Sequence, residues 1–149
     1  MSKIIEYLEE YNNVSKNKMR LVMFLDACDH VARISRCLRN PLGNAFLLGV
    51  GGSGRQSLSW LATYLNCYRI NQIEITKGYG MPNWREDVKK TLMQCGVDNK
   101  PMTFLFCDTQ ILDEQMLEDI NGILNSGDIP NLYKVEDMEI ITEVGKKEC

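Results

Sequence analysis

Between positions 49 and 54 four of six residues are glycine, and the cluster separates two patterns of different period. Before it, 45–50 (AFLLGV) is a short continuous apolar run, as expected of a strand buried on both faces. After it, Leu58, Leu61, Ala62 and Leu65 recur at helical spacing. A chain turns this abruptly from strand to helix where its backbone is free to take left-handed conformations, which glycine permits without steric cost. The feature sets a strand–turn–helix unit in the middle of the chain, and the other elements must be fitted round it.

The flanking sequence supplies those elements. Ile4, Ile5, Leu8 and Tyr11 lie at helical spacing in SKIIEYLEEY, and NNVSKNK follows as a polar connector. A long helix is predicted from Lys16 to Arg39, with Met19, Met23, Ala27, Val31, Ile34 and Leu38 on one face. It must stop near Asn40, because Pro41 disfavours helix in the residue before it. RINQIEIT (69–76) and MTFLFCD (102–108) read as a second and a third strand. KGYGMPN is a loop by its Gly and Pro content. WREDVKKTLMQC (84–95) is a helix with Asn83 as N-cap and Gly96 past its end, and DEQMLEDINGILNSG is a helix that stops at Gly127. MEIIT (138–142) fits either a strand or a short helix. Strands alternating with helices of this length imply an α/β fold with a parallel sheet.

Composition narrows the function classes. The chain of 149 residues carries a net charge of −3, which argues against an electrostatic nucleic-acid binder. Residues 108–149 hold 11 acidic and 3 basic side chains, as a solvated face would. The six cysteines form no C-x-x-C pair and only His30 could join them at a metal, so reduced thiols in a cytosolic setting are expected. No apolar run approaches the ~20 residues that span a bilayer, and no membrane partner is expected.

The glycine cluster fits two ligand-binding patterns. Gly49 and Gly54 have the spacing of a nucleotide phosphate loop, G-x-x-x-x-G-K-[ST]. Converging N–H groups and the helix N-terminus would hold phosphate oxygens. Arg55 stands at the lysine position and keeps the charge on a bulkier, planar group. Gln56 stands where a hydroxyl should meet magnesium, and Ser57 is one residue late, about 100° further round the helix. Gly49, Gly51 and Gly54 also satisfy the dinucleotide pattern G-x-G-x-x-G, with Glu74 placed as the ribose-binding acid. Asp108, at the end of the third apolar strand, favours the phosphate-loop reading, since such sites need an acid there to hold magnesium through water. Thr109 follows it where many ATPases carry a glutamate, and a threonine is no general base at neutral pH. A third reading makes the glycines a tight turn in a structural fragment that binds nothing.

Four stretches together resemble a known family: the segment 21–65 around FLLGVGGSGRQSL, ITKGYGMPNWREDVKKTL, FLFCDTQI and LEDINGILNSGDIPNLY. They are similar to the fourth AAA+ module of axonemal dynein heavy chains over roughly residues 10–140. The resemblance implies a P-loop NTPase fold of the AAA+ type, a three-layer α/β/α arrangement on a parallel sheet, incomplete here because only the first three strands are present. Its domain plan is an N-terminal helix and connector (1–15), a partial AAA+ large subdomain (16–143) and a tail (144–149). It implies binding of ATP or ADP with Mg2+ by Gly49, Val50, Gly51, Gly52, Ser53, Gly54, Arg55, Gln56 and Ser57, with Asp108 and Ser57 as the metal candidates and the segment around Leu21 to Phe24 bordering the adenine. The role implied is regulatory in a microtubule-based motor of the ciliary axoneme, within the cytoplasm and its cytoskeleton. Implied partners in a full-length protein are the neighbouring AAA+ modules of the ring and the dynein intermediate and light chains, with microtubules reached only through parts absent here. The strand order 5-1-4-3-2 of such modules leaves strands one and three without the strand between them. The sensor residues and arginine finger are missing, so hydrolysis is doubtful, and the chain reads as a fragment or truncated isoform. An isolated chain of this kind is expected to be marginally stable and prone to aggregate, since unpaired apolar strand edges stay exposed.

Overall fold

Six helices and two short strands make up the computed structural model, which describes residues 2–15 and 18–148. In chain order they are α1 (Ser2–Val14), α2 (Leu25–Arg39), α3 (Arg55–Leu65), β1 (Arg69–Asn71), α4 (Met81–Val97), β2 (Met102–Phe104), a 3-10 turn (Asp108–Gln110), α5 (Glu114–Ser126) and α6 (Val135–Glu148). The chain divides into two units, Met1–Ile70 and Asn71–Cys149. No helix among the described residues is long and apolar enough to cross a membrane, and their cysteines form no disulfide.

The first unit is three helices and the glycine loop. Leu8 of α1, Ala27, Val31 and Ile34 of α2, and Leu58, Leu61 and Ala62 of α3 form its core. They are the residues that the helical spacing selects. The edge of one ring meets the face of the other where Tyr11 packs on Tyr64, with centroids 5.2 Å apart. The Asn66 amide closes the C-terminal end of α3 on α2, accepting from the Ser35 hydroxyl at 2.8 Å and donating to the Ser35 carbonyl at 3.1 Å.

Helix α2 starts at Leu25, later than the sequence predicts, and Lys16 lies outside the described residues. The cause is local. The Asn12 side chain donates to the Met19 carbonyl at 3.0 Å and accepts from the Met19 N–H at 2.7 Å. Both main-chain groups of Met19 are thereby taken from a helical ladder, and 18–24 runs as a non-helical connector with Met19, Leu21 and Met23 against the core. The helix ends as expected at Asn40. Gly43 then passes so close to the end of α2 that a Cβ there would lie 1.9 Å from the Cys37 carbonyl oxygen. Only glycine fits this return.

A β–α–β crossover, whose first strand ends on Asn71, opens the second unit. Strands β1 and β2 lie side by side in a two-stranded parallel sheet, with the Leu105 N–H donating to the Asn71 carbonyl at 2.8 Å, and α4 makes the connection between them. Trp84 of α4, fully buried, sits at the centre of a core with Ile73, Val88, Met116, Ile129 and Leu132, and packs on Phe104 and Phe106. Helix α4 begins at Met81, with Gly80 as its N-cap and Asn83 in its first turn accepting from the Gly80 N–H. The expectation of Asn83 as N-cap is therefore three residues late, and Gly96 lies inside the helix. Helix α5 follows its signals: Asp113 caps it through the Gln115 N–H, and it stops at Gly127 in the left-handed conformation. MEIIT is helical, in α6.

Two strands stand among the described residues where three are expected, and both are short. The segment 45–50 is no strand. It forms no ladder, and Phe46, Leu48 and Val50 are exposed. A strand exists only where a neighbour completes its hydrogen bonds, and no described segment does so here. The second strand leaves the sheet after Asn71 and the third after Phe104.

Candidate phosphate-binding loop

The loop lies in the first unit and is shaped by two glycines. Gly52 and Gly54 take φ of +77° and +76°, the left-handed region that an L side chain enters only with strain. Between them, the Ser53 N–H closes a turn on the Val50 carbonyl at 3.3 Å. Gly54 is the N-cap of α3, and its carbonyl accepts the Leu58 N–H at 2.8 Å. The helix starts at Arg55, so its first-turn N–H groups, which no carbonyl of the same helix can reach, lie at the base of the loop.

A cradle for an anion has to be open, and this one is. A Cβ at Gly51 or Gly52 would meet no atom within 4 Å. At Gly49 it would lie 3.1 Å from Ser53 Oγ and 3.4 Å from Arg55 Cδ, so Arg55 folds back along the loop. Its Nη2 donates to the Val50 carbonyl at 3.5 Å, and among the described residues no carboxylate pairs with it. The cation and the positive end of the helix dipole thus act at the same place. The donor set, backbone N–H groups with one guanidinium, fits a phosphate chain. Gln56 is exposed and Ser57 half-buried in the first turn of α3. Leu21, in the segment expected to border the adenine, reaches the loop: its Cδ2 would lie 3.9 Å from a Cβ on Gly54.

Asp108 lies in the second unit, exposed, at the start of the 3-10 turn, and its Oδ1 accepts from the Thr109 N–H at 2.9 Å. Thr109 is exposed too. No group of three or more His, Cys, Asp or Glu among the described residues could hold a metal ion by itself. Glu74 is exposed and stands three residues past the end of β1, so it is not the strand-end acid that the dinucleotide pattern requires.

Two features escape a reading by sequence. Gln110 is buried in the turn after Asp108: its Oε1 accepts the Cys107 N–H at 2.7 Å, and its Nε2 donates to the Ile73 carbonyl. It ties the end of the third apolar segment to the second where the ladder has stopped. A polar amide three residues past the end of an apolar run is its one signal. The KGYG loop is anchored as well. Tyr79 donates its hydroxyl to Asp87 Oδ2 at 2.6 Å, and burial followed by that bond pushes its pKa well above the ordinary tyrosine value.

Comparison with known proteins shows the family to which this sequence is similar. Residues 19–149 match the model of a family described as the P-loop containing dynein motor region D4. Dynein axonemal heavy chain 1 of Mus musculus and that of Homo sapiens are each 57% identical to the chain over 141 residues, or 95% of its length. Dynein axonemal heavy chain 3 of Homo sapiens is 51% identical over 137 residues. The chain spans 3% of the length of each of these relatives.

Proposed function

The chain belongs to the dynein motor region D4 family, and from that premise we propose that it binds the phosphates of ATP or ADP, with magnesium, as a regulatory site of a motor and not as its main ATPase. The observation that carries the proposal is the open turn at Gly52 and Gly54 leading into the N-terminus of α3, with Arg55 laid along it. Gly49, Val50, Gly51, Gly52, Ser53 and Gly54 would surround the phosphates. Arg55 would neutralise their charge, and Gln56 and Ser57 would present first-turn N–H groups. Asp108 and Ser57 would serve the magnesium, which supplies charge neutralisation at the outer phosphates. No residue here is assigned to activate water, since Thr109 stands where a glutamate would, so binding without turnover is the expected behaviour.

Within a longer protein, the proposal places this chain in one module of an AAA+ ring with a three-layer α/β/α sheet. Its domains would be a helix and connector (1–15), a partial large subdomain (16–143) and a tail (144–149). The neighbouring modules and the dynein intermediate and light chains would be its partners, microtubules would be reached through other parts, and the setting would be the axoneme of a cilium. Support for this comes from the names of the relatives.

The test is a binding titration of the 149-residue chain with Mg-ADP, and with NAD as control, read by thermal unfolding. At about 100 times its dissociation constant, a ligand adds about 2.7 kcal/mol to a folded binder. We expect a rise with ADP and none with NAD. Arg55→Ala should weaken ADP about ten-fold or more, since a charge-assisted hydrogen bond contributes roughly 1.5–3 kcal/mol. A cooperative transition that ADP leaves unmoved would make the loop a folded relic. Preference for NAD, lost on Glu74→Ala, would restore the dinucleotide reading.

A further inference from the structure

We propose that Arg55 is the principal counter-charge of the glycine loop, so that the chain holds ADP without needing a divalent cation. This role rests on the nucleotide reading of the loop and narrows the part that magnesium has in it. Arg55 is the first residue of α3, and its side chain runs back over the start of the loop. A Cβ on Gly49 would lie 3.4 Å from its Cδ and 3.6 Å from its Nε, and its Nη2 reaches the Val50 carbonyl at 3.5 Å. The residue is half-buried, and among the described residues no carboxylate pairs with it. The guanidinium thus stays beside residues 49 and 50, with its charge unspent. A phosphate oxygen has only to replace that long contact to a neutral carbonyl, and it gains a charge-assisted hydrogen bond in return.

The loop itself offers the metal much less. Where the phosphate-loop pattern has a short hydroxyl, Gln56 carries an amide on a longer stem. Ser57 is half-buried and about 100° further round the helix. Asp108 would meet the metal only through water and so adds no direct bond. A lysine is a point charge that leaves the phosphate oxygens to the metal, whereas a guanidinium forks two of them at once and competes for them. Charge then sets the sign. Free ADP is more negative than its magnesium complex, and a cation together with the positive end of a helix dipole attracts the more negative form. Where the chain binds the metal no better than water does, linkage makes magnesium neutral or adverse to ADP binding.

The test is calorimetric titration of the 149-residue chain with ADP, once in excess magnesium and once in a chelator. We expect dissociation constants within about three-fold of each other, or a tighter one in the chelator. Arg55→Gln keeps a stem and an amide donor but removes the charge. In the chelator it should bind ADP about ten-fold or more weakly than the parent. Its binding should also respond less to added salt, a readout that a merely structural role of Arg55 would not move. An unchanged helical circular dichroism spectrum checks that the variant is folded. The proposal is overturned, with the nucleotide reading intact, if the parent binds ADP about ten-fold or more weakly in the chelator than in magnesium. It is overturned in the same way if Arg55→Gln binds in the chelator as the parent does, or shows the parent's salt dependence. Absence of ADP binding by the folded parent in both media overturns the nucleotide reading, and this role of Arg55 with it.

Discussion

Gln110 does at one position what a ladder does along a strand. After Phe104 the pairing of β1 and β2 has ended, yet the two segments stay together because one amide accepts from Cys107 and donates to Ile73. Both ends of that amide matter, and two substitutions separate them. Gln110→Met keeps the bulk and removes the amide that meets the half-buried Cys107 N–H and the buried Ile73 carbonyl, at a cost of about 2–3 kcal/mol. Gln110→Glu keeps the acceptor but sets a carboxylate against the Ile73 carbonyl, and should cost at least as much at neutral pH. Urea unfolding followed through the buried Trp84, in a Trp60→Phe background so that it is the sole tryptophan, measures both. Equal stability of Gln110→Met and the parent would show that the amide is incidental.

Helices α4 and α5 are joined by a second polar device, and it explains why a carboxylate can sit in this core. Asp119 is 3% exposed, and its two oxygens accept from the Trp84 indole N–H at 3.1 Å and from Arg85 Nη2 at 3.2 Å. Asp119→Ala orphans the indole N–H and frees an arginine that already reaches water, so the loss should be about 2–3 kcal/mol. Arg85→Ala should cost more than Asp119→Asn, because it leaves the buried carboxylate with one donor. The Arg85–Asp119 coupling in a double-mutant cycle by urea unfolding checks this; independence of the two sites would remove the pair from the account. Such pairings are what the sequence conceals. The helices were legible because their signals are local: apolar residues three or four apart, Asp113 before α5, Gly127 after it. The glycine loop was legible for the same reason, as the φ of Gly52 and Gly54 shows. The late start of α2 was not, since it turns on Asn12 reaching seven residues ahead to Met19. The strands were the least legible. Apolar content marks 45–50, 69–76 and 102–108 as strand-like, but pairing depends on neighbours distant in sequence, and only Arg69–Asn71 and Met102–Phe104 find them.

At the scale of the molecule, an acid-sensitive carboxylate stands in the second unit. Asp137 lies in the first turn of α6, where its carboxylate accepts the Lys134 N–H at 2.9 Å and meets Lys89 of α4 at 3.4 Å. The Lys134 N–H, and after it Lys89, hold its pKa below the ordinary carboxylate value in spite of partial burial. A group depressed on folding stabilises above its unfolded pKa, and that stability drains away as pH falls through the folded one. The loss should set in below about pH 4. The alkaline limb has the opposite sign. Burial raises Cys95, and burial with the Asp87 bond raises Tyr79, so the stability tied to their neutral forms holds below the unfolded values of 9.0 and 10.0 and is lost above them. Lys89 acts in the same direction, because Asp137 and Glu86 outweigh the effect of its burial and hold its proton more tightly. Trp84 fluorescence in Trp60→Phe chain should therefore show a stability plateau from about pH 4 to 9, falling on both sides. Asp137→Asn should flatten the acid limb and, by releasing Lys89, also soften the alkaline one, while Tyr79→Phe should shift only the alkaline limb. An acid limb unchanged in Asp137→Asn would assign it to other carboxylates and detach the α4–α6 contact from the pH response of this unit.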